Sequence, residues 1–186
     1  MNEVEAVKDR KTIDRIEYWL LTQKGQIYAD IWRIGLNLAL RISDLVSLTY
    51  EDVAGDELCI VEGKTSKRRR IPINNAAKAV ITRRRADNPG HVYLFQSDSN
   101  RSRAMNRPVS REMVARAFKA AGEENSIRVQ LSTHSMRKTR GYIMFSEGKS
   151  IELICRVLNH SSPAVTMRYI GITQRDINQT YADFEL

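Results

Sequence analysis

The sequence predicts an α+β fold that is mainly helical and carries a small antiparallel β-sheet. Several segments repeat apolar residues at helical spacing, and two short runs rich in β-forming residues flank a turn. The chain has 186 residues, of which 42% are hydrophobic, so it is long enough to bury a core. This size suits one domain with a short tail.

Composition favours an anionic partner. Lysine and arginine number 30 against 22 acidic residues, which gives a net charge of +8. Such a balance favours nucleic acid over an acidic small molecule. Cys59 and Cys155 lie in apolar surroundings without CxxC spacing, so both are expected to be reduced core thiols. No leader or membrane-length apolar run is visible, and a cytoplasmic protein is expected.

The first third of the chain predicts two core helices followed by a junction. Thr12–Thr22 and Ile27–Leu40 carry isoleucine and leucine at helical spacing. Arg41 follows at once, and Ser43 is expected to cap the next helix. An arginine between Leu40 and Ile42 is either a surface residue or one held inward, and an inward arginine requires an anion.

A basic hairpin is expected next. The sequence predicts strands over Leu58–Glu62 and Arg68–Ile73, and the residue types of Gly63–Lys67 are typical of a hairpin turn. Five of the seven residues from position 64 to 70 are basic, a shape and charge that suit a DNA groove. The expected DNA contacts, here and further along the chain, are Lys67, Arg68, Arg69, Arg70, Arg101, Arg103, Arg111 and Lys138.

The middle of the chain predicts two more helices around a polar loop. Ala76–Arg85 forms the first, and Gln96–Arg107 is a basic loop. Ser110 is expected to cap the second helix and Gly122 to stop it.

The stretch from position 131 to 169 concentrates chemically active side chains. His134 and Arg137 share one face if their segment is helical, since residues three apart do so. Tyr169 follows His160 by nine positions, two turns into a short helix that Ser161 or Ser162 would cap before Pro163. Two histidines, an arginine and a phenol without an acidic partner indicate phosphate chemistry.

In the order and approximate spacing of six residues, the chain resembles the tyrosine recombinase (phage integrase) family. The likeness extends from about Ile31 to Ile172. The six are Arg41 in ALRISDLVSL, Lys64 in GKTSKRRRIPI, His134 and Arg137 in HSMRKT, His160 in LNHSS and Tyr169 in MRYIGI. Each motif is weak alone, and the ordered set is specific.

The resemblance implies a mechanism and a role for each residue. In this family a tyrosine attacks a DNA phosphodiester and forms a 3′-phosphotyrosyl link. This link conserves the bond energy, so the resemblance implies no cofactor such as ATP, and arginines replace divalent cations, so it implies no metal. By resemblance, Tyr169 is the nucleophile, Arg41 and Arg137 clamp the non-bridging oxygens, and Lys64 is the general acid. His134 would assist proton transfer, and His160 would donate to a non-bridging oxygen.

The chain also departs from the family pattern. Ala39 and Asn159 stand where the family usually has glycine, and Lys138 stands where histidine or arginine is common. Typical members carry an N-terminal helical domain that is not expected in this sequence. We therefore expect a catalytic domain over residues 1–173 and a tail helix over 174–186. This helix is either exchanged between protomers or, in the free monomer, packed back on its own domain. A natural single-domain protein, similar in size to the fimbrial-switch invertases, and an excised fragment are both compatible with this.

The resemblance further implies partners and a location. Expected partners are double-stranded DNA with specific recombination sites, three further copies of the chain on that DNA, and accessory DNA-bending proteins. The free protein is expected to be monomeric, cytoplasmic, encoded by a bacterium or phage, and associated with the nucleoid. Integration, excision and inversion stay open. Two other functions are a type IB topoisomerase-like activity and a non-catalytic DNA-binding regulator that keeps the fold.

Overall fold

A computed structural model describes residues 4–97, 106–127 and 130–185. Within these ranges it contains nine helices and one two-stranded sheet. Their bounds are α1 Arg10–Gln23, α2 Gln26–Leu38, α3 Ile42–Val46, β1 Glu57–Val61, β2 Arg68–Pro72, α4 Asn75–Asp87, α5 Arg111–Glu124, α6 Ser135–Ser146, α7 Ile151–Leu158, α8 Pro163–Ile170 and α9 Gln174–Asp183. The mainly helical α+β prediction is confirmed.

The larger core is built by the first half of the chain with α5. Trp32 of α2 is fully buried and meets Phe118 of α5 edge to face, with 5.3 Å between ring centroids. Its indole nitrogen donates to the carbonyl of Ile13 in α1 at 3.3 Å. A second, smaller cluster contains Ile154, Leu158 and Ile170 from α7 and α8.

Helix ends follow the predicted caps in part. Ser110 accepts from the amide of Met113, as predicted. The prediction for Ser43 is wrong, because α3 begins at Ile42 and the residue at its N-cap makes no capping hydrogen bond through its side chain. Gly122 does not stop α5 either. A Cβ there would lie 3.2 Å from the side chain of Leu131, so this glycine allows close packing.

The hairpin forms where it was predicted. β1 and β2 are antiparallel, with Glu57 opposite Pro72 and Val61 opposite Arg68. Residues 62–67 close it, and the Ser66 amide donates to the carbonyl of Glu62 at 2.8 Å. Cys59 is exposed on this hairpin, which corrects its assignment to the core, because β1 buries only one of its faces. Cys155 is buried as predicted.

Two glycines allow α6 to approach its neighbours closely. A Cβ on Gly35 of α2 would lie 2.1 Å from the sulfur of Met136 in α6. A Cβ on Gly141 of α6 would lie 2.7 Å from Ile170 and 3.0 Å from Leu158. All three distances are shorter than van der Waals contact allows. The glycines thus let α6 pack between α2 on one side and α7 and α8 on the other.

The tail forms a helix whose apolar residues are solvent-exposed. Thr173 and Asp176 form a capping box at the start of α9. Ile177, Tyr181 and Phe184 are 44%, 79% and 73% exposed. Across the three described ranges, no helix combines the length and apolar character that crossing a membrane requires.

Candidate active site

One cleft is lined by all six residues singled out from the sequence. Its volume is about 320 Å³. Four further residues complete its walls. The full lining is Arg41, Lys64, Thr65, His134, Arg137, Asn159, His160, Ser161, Val165 and Tyr169.

Three rings meet inside this cleft. The phenolic oxygen of Tyr169 lies 3.4 Å from Nδ1 of His134. The ring of His160 packs edge to face on Tyr169, with 4.6 Å between centroids. His134 is the residue just before α6, and Tyr169 lies in the last turn of α8. A cap of α8 by Ser162, with Pro163 in the first turn, sets the start of that helix as predicted.

Arg137 is buried and bridges two helix ends. Its Nη1 donates to the carbonyl of Ala39, which is the C-cap of α2. Its Nη2 donates at 2.5 Å to the carbonyl of Leu158, which is the last residue of α7. Only 2% of Arg137 is exposed. Carbonyls at helix C-termini are otherwise unpaired and carry partial negative charge, so they are suitable acceptors for a cation.

Arg41 is held by a residue that sequence reasoning missed. Its Nη1 donates to Oε2 of Glu62 at 2.5 Å, and the Glu62 side chain is fully buried. The expectation of a site without an acidic partner is therefore wrong. Two signals were present in the sequence: an inward arginine requires an anion, and Glu62 stands two positions before Lys64.

The two departures at family glycine positions have a backbone explanation. Ala39 and Asn159 both have a φ of 51°, the left-handed region that glycine adopts at least cost. Asparagine tolerates this region better than other residues with side chains. The side chain of Asn159 also donates to Glu62, so the departure adds a contact that glycine lacks.

Both histidines of the cleft are held neutral. Burial, with the charges of Arg137 and Arg41, lowers the pKa of His160 to about 4. Partial desolvation and the charge of Arg137 also lower the pKa of His134. Burial raises the pKa of Tyr169, and the charge of Arg137 offsets part of this effect. The phenol therefore keeps its proton at neutral pH beside an imidazole able to accept it.

The tautomer of His160 follows from its neighbours. Its Nδ1 lies 3.0 Å from Oγ1 of Thr166, whose hydroxyl donates to the carbonyl of Ser162 at 3.3 Å. A hydroxyl has one hydrogen, so in this arrangement Thr166 accepts from Nδ1. This leaves Nε2 of His160 for another partner.

The expected DNA contacts divide into three groups. Lys67, Arg68, Arg70 and Arg111 are exposed, and Arg101 and Arg103 lie outside the described residues. Arg69 points inward, where it donates to Glu62 at 2.7 Å. Lys138 is 8% exposed, donates to the carbonyl of Val4 and lies 5.1 Å from the ring centroid of Tyr169. Internal partners therefore hold Arg69 and Lys138, and contact of either residue with DNA stays a prediction.

The sequence matches the model of the phage integrase family over residues 20–175. The chain belongs to this family. It is 35% identical over 185 residues to the probable integrase/recombinase YoeC of Bacillus subtilis, a match that covers 99% of this chain and 98% of that protein. It is 26% identical to the tyrosine recombinase XerD of Halalkalibacterium halodurans over 78% of this chain and 49% of that one. The chain is thus a member of the tyrosine-type site-specific recombinases.

Solved structures share the fold at low sequence identity. The XerA recombinase superposes with a TM-score of 0.73 at 16% identity, over 98% of this chain and 65% of that one. A lambda integrase dimer bound to a core site gives a TM-score of 0.73 at 15% identity, over 94% of this chain and 50% of that one. The chain spans about half the length of several relatives, including the XerD protein and the lambda integrase.

Proposed function

We propose that this member of the family cleaves and rejoins double-stranded DNA at specific sites through a 3′-phosphotyrosyl intermediate. The observation that carries the proposal is the pairing of Tyr169 with His134 at 3.4 Å in a cleft lined by Arg41 and Arg137. A protonated phenol, a neutral base and two guanidinium groups are the parts that attack on a phosphodiester requires. The DNA-bound relatives among the solved structures support the choice of substrate.

The cleavage step assigns one task to each group. Tyr169 passes its proton to His134 while its oxygen attacks phosphorus, and the bond from phosphorus to the 5′-oxygen breaks. Lys64 gives a proton to the leaving 5′-oxygen. In the reverse step a 5′-hydroxyl from the partner strand gives its proton to Lys64 and attacks phosphorus. The bond from phosphorus to the Tyr169 oxygen breaks, and His134 returns the proton to the phenol. The bond energy is conserved, so strands are rejoined without a nucleotide cofactor.

The remaining cationic groups stabilise the charge that develops on phosphate. Arg41 and Arg137 would hold the non-bridging oxygens, a task that suits the fork geometry of guanidinium. The free Nε2 of His160 would serve the same oxygens. An anionic phosphate stabilises the imidazolium form, which turns Nε2 into a donor.

The decisive experiment is trapping of the covalent intermediate. The DNA that flanks the encoding gene is first searched for inverted repeats, and nicked DNA carrying a candidate repeat is incubated with the protein and then denatured. Wild type should keep a covalent DNA adduct, Tyr169→Phe should lose it, and Tyr181→Phe should keep it. An adduct in Tyr169→Phe overturns the assignment. Relaxation of supercoiled DNA without any site requirement would point instead to a topoisomerase activity.

The exposed side of the hairpin is the proposed DNA contact surface. Both Lys67, the last residue of the turn that carries Lys64, and Arg68, the first residue of β2, are exposed there. Removal of one cation that neutralises a phosphate reduces the slope of log K against log salt by about 0.9. Lys67→Ala with Arg68→Ala should therefore reduce the slope by about 2, while an unchanged slope would place the DNA elsewhere.

Residues 1–173 would form the catalytic unit, and α9 would dock on a neighbouring copy of the chain. The apolar residues of α9 are exposed at helical spacing, as an exchanged helix requires. Four copies on two duplexes would couple their active sites in this way. The copies would assemble on DNA in the cytoplasm from a monomeric free protein, with DNA-bending proteins as accessory partners.

A further inference from the structure

Glu62 is a fully buried carboxylate at the wall of the cleft. Its Oε2 accepts from Nη1 of Arg41 at 2.5 Å, and its Oε1 accepts from Nη1 of Arg69 at 2.7 Å. The hydroxyl of Thr65 and the amide of Asn159 also donate to Oε2. Burial alone would raise the pKa of Glu62, but these donors outweigh it and bring the pKa to about 2. The group is a carboxylate at any physiological pH.

The partners of Glu62 come from three separate parts of the cleft. Arg41 is the residue that precedes α3, and Thr65 lies in the turn that carries Lys64. Asn159 ends α7 and directly precedes His160. Arg69 adds a second connection to that helix end, because its Nη2 donates to the carbonyl of Val157 at 2.7 Å.

We propose that Glu62 is a positioning residue that orients Arg41 and fixes the turns carrying Lys64 and His160 before DNA enters. The inference rests on the proposed function, in which those three groups act on the phosphate. Among the described residues, Glu62 is the only hydrogen-bond partner of the Arg41 side chain, and it uses Nη1 alone. Nη2 and Nε of Arg41 are thus left for an anion.

Such positioning affects binding and cleavage in opposite directions. A carboxylate in a cationic cleft repels the DNA backbone, so its charge opposes binding. Donors that are already oriented lower the barrier to cleavage, because they need no reorganisation in the transition state. A residue that only stabilises the fold would not separate the two quantities in this way.

The test compares Glu62→Gln with Glu57→Gln in the full chain. Glu57 is a matched control, because it pairs with an arginine of the same hairpin, Arg70, at 2.7 Å but lies exposed and away from the cleft lining. On saturating nicked DNA, Glu62→Gln should cleave at least about 10-fold more slowly and bind as tightly as wild type or more tightly. Glu57→Gln should change neither the cleavage rate nor the DNA affinity by more than about 2-fold.

A DNA-free measurement separates this inference from the proposed function. Hydrogen exchange at the amides of residues 62–67 and 157–160 should accelerate in Glu62→Gln and stay unchanged in Glu57→Gln. If wild type forms no covalent adduct, the proposed function fails, and the exchange rates alone decide whether Glu62 fixes the two turns. The positioning role is overturned if Glu62→Gln cleaves DNA at the rate of wild type, or if its amide exchange rates in both turns are unchanged.

Asn159→Gly provides a second variant if Glu62→Gln folds poorly. Glycine adopts the left-handed backbone of Asn159 without strain, so the turn is retained while one donor to Glu62 is removed. Cleavage should slow by about 3- to 10-fold with a melting temperature close to that of wild type. In a double variant with Glu62→Gln, Asn159→Gly should slow cleavage by less than about a further 2-fold, because both changes break the same hydrogen-bond network. Independent effects would contradict a shared network.

Discussion

The phenolic oxygen of Tyr169 and Nδ1 of His134 lie 3.4 Å apart, although 35 positions separate the two residues in sequence. The pair joins the end of α8 to the start of α6. Burial keeps the phenol protonated, and the low pKa of His134 keeps its imidazole able to accept that proton. The chemistry of the cleft therefore depends on how α6 and α8 pack.

His134→Gln should slow cleavage by about 10²- to 10⁴-fold at pH 7, because general-base assistance is lost. The rate of this variant should then rise as the pH approaches the pKa of the phenol, since hydroxide can remove the proton instead. Single-turnover rates between pH 7 and pH 10 measure this. His160→Gln is the control and should show no such recovery, because His160 acts on phosphate oxygens. A flat profile for His134→Gln would contradict the base assignment.

Lys64→Ala should be rescued by DNA in which sulfur replaces the leaving 5′-oxygen. A thiolate leaves without a proton, so the general acid is no longer needed. Cleavage rates of both substrates by wild type, Lys64→Ala and Lys67→Ala are compared. Lys67 is a matched control on the same turn that does not line the cleft. Rescue of Lys67→Ala in place of Lys64→Ala would move the general acid to Lys67.

Arg41 and Arg137 should differ in their effects on stability. Removal of either guanidinium should slow cleavage by about 10²- to 10³-fold. Arg137→Ala should also unfold more easily by about 3 kcal/mol, because it leaves the carbonyls of Ala39 and Leu158 without a donor and opens a cavity. Arg137→Lys should recover part of the stability but little of the rate. Denaturant unfolding and cleavage assays on the same variants test this. Equal losses in DNA binding and in cleavage would show instead that both arginines only contact the DNA backbone.

Acid should destabilise the protein in two pH windows that meet near pH 4. The pKa of His160 is about 4 in the folded state against 6.5 for an unperturbed histidine, so the unfolded chain binds more protons between these values. Because the His160 ring is partly exposed and solvent screens its charge, the free energy of unfolding should fall by on the order of 2 kcal/mol, less than the full shift implies, as pH drops from 6.5 to 4. Glu62, with a pKa of about 2 against 4.5, contributes stability above pH 4.5 that is lost as pH falls towards 2.

Chemical denaturation at a series of pH values measures both windows. His160→Gln should flatten the upper window only, and Glu62→Gln the lower one only. A wild-type curve without a slope between pH 6.5 and 4 would show that His160 is not held neutral in the folded protein.

Deletion of residues 175–186 should leave the fold intact. The apolar side chains of α9 are exposed, so the deletion should change the melting temperature by no more than about 2 °C. Binding to a single DNA site should persist, while cooperative assembly and strand exchange decline. Gel-shift titrations and sedimentation of the DNA complexes follow both properties. If the truncated protein unfolds, α9 belongs to its own core, and the coupling between copies lies elsewhere.

Much of the fold follows from local patterns. Apolar residues at helical spacing predicted α1 and α2, and Ser110 marked the start of α5. The hairpin followed from β-forming runs around a glycine-containing turn. These signals are readable because helix periodicity, capping and turn chemistry depend on residues a few positions apart. The order of six polar residues was likewise readable as a motif.

The tertiary structure alone decided what surrounds those residues. Glu62 contacts Asn159 across 97 positions, and Arg137 reaches the carbonyl of Ala39 across 98. The charge pattern of residues 64–70 did not show that Arg69 points inward while Arg68 stays exposed. The sequence around Lys138 likewise did not show that this residue is buried. A local pattern records the type of a side chain and its spacing, whereas its partner depends on which helix ends packing brings together. The sequence thus determined which groups could act on a phosphate, and packing determined that a buried carboxylate stands among them.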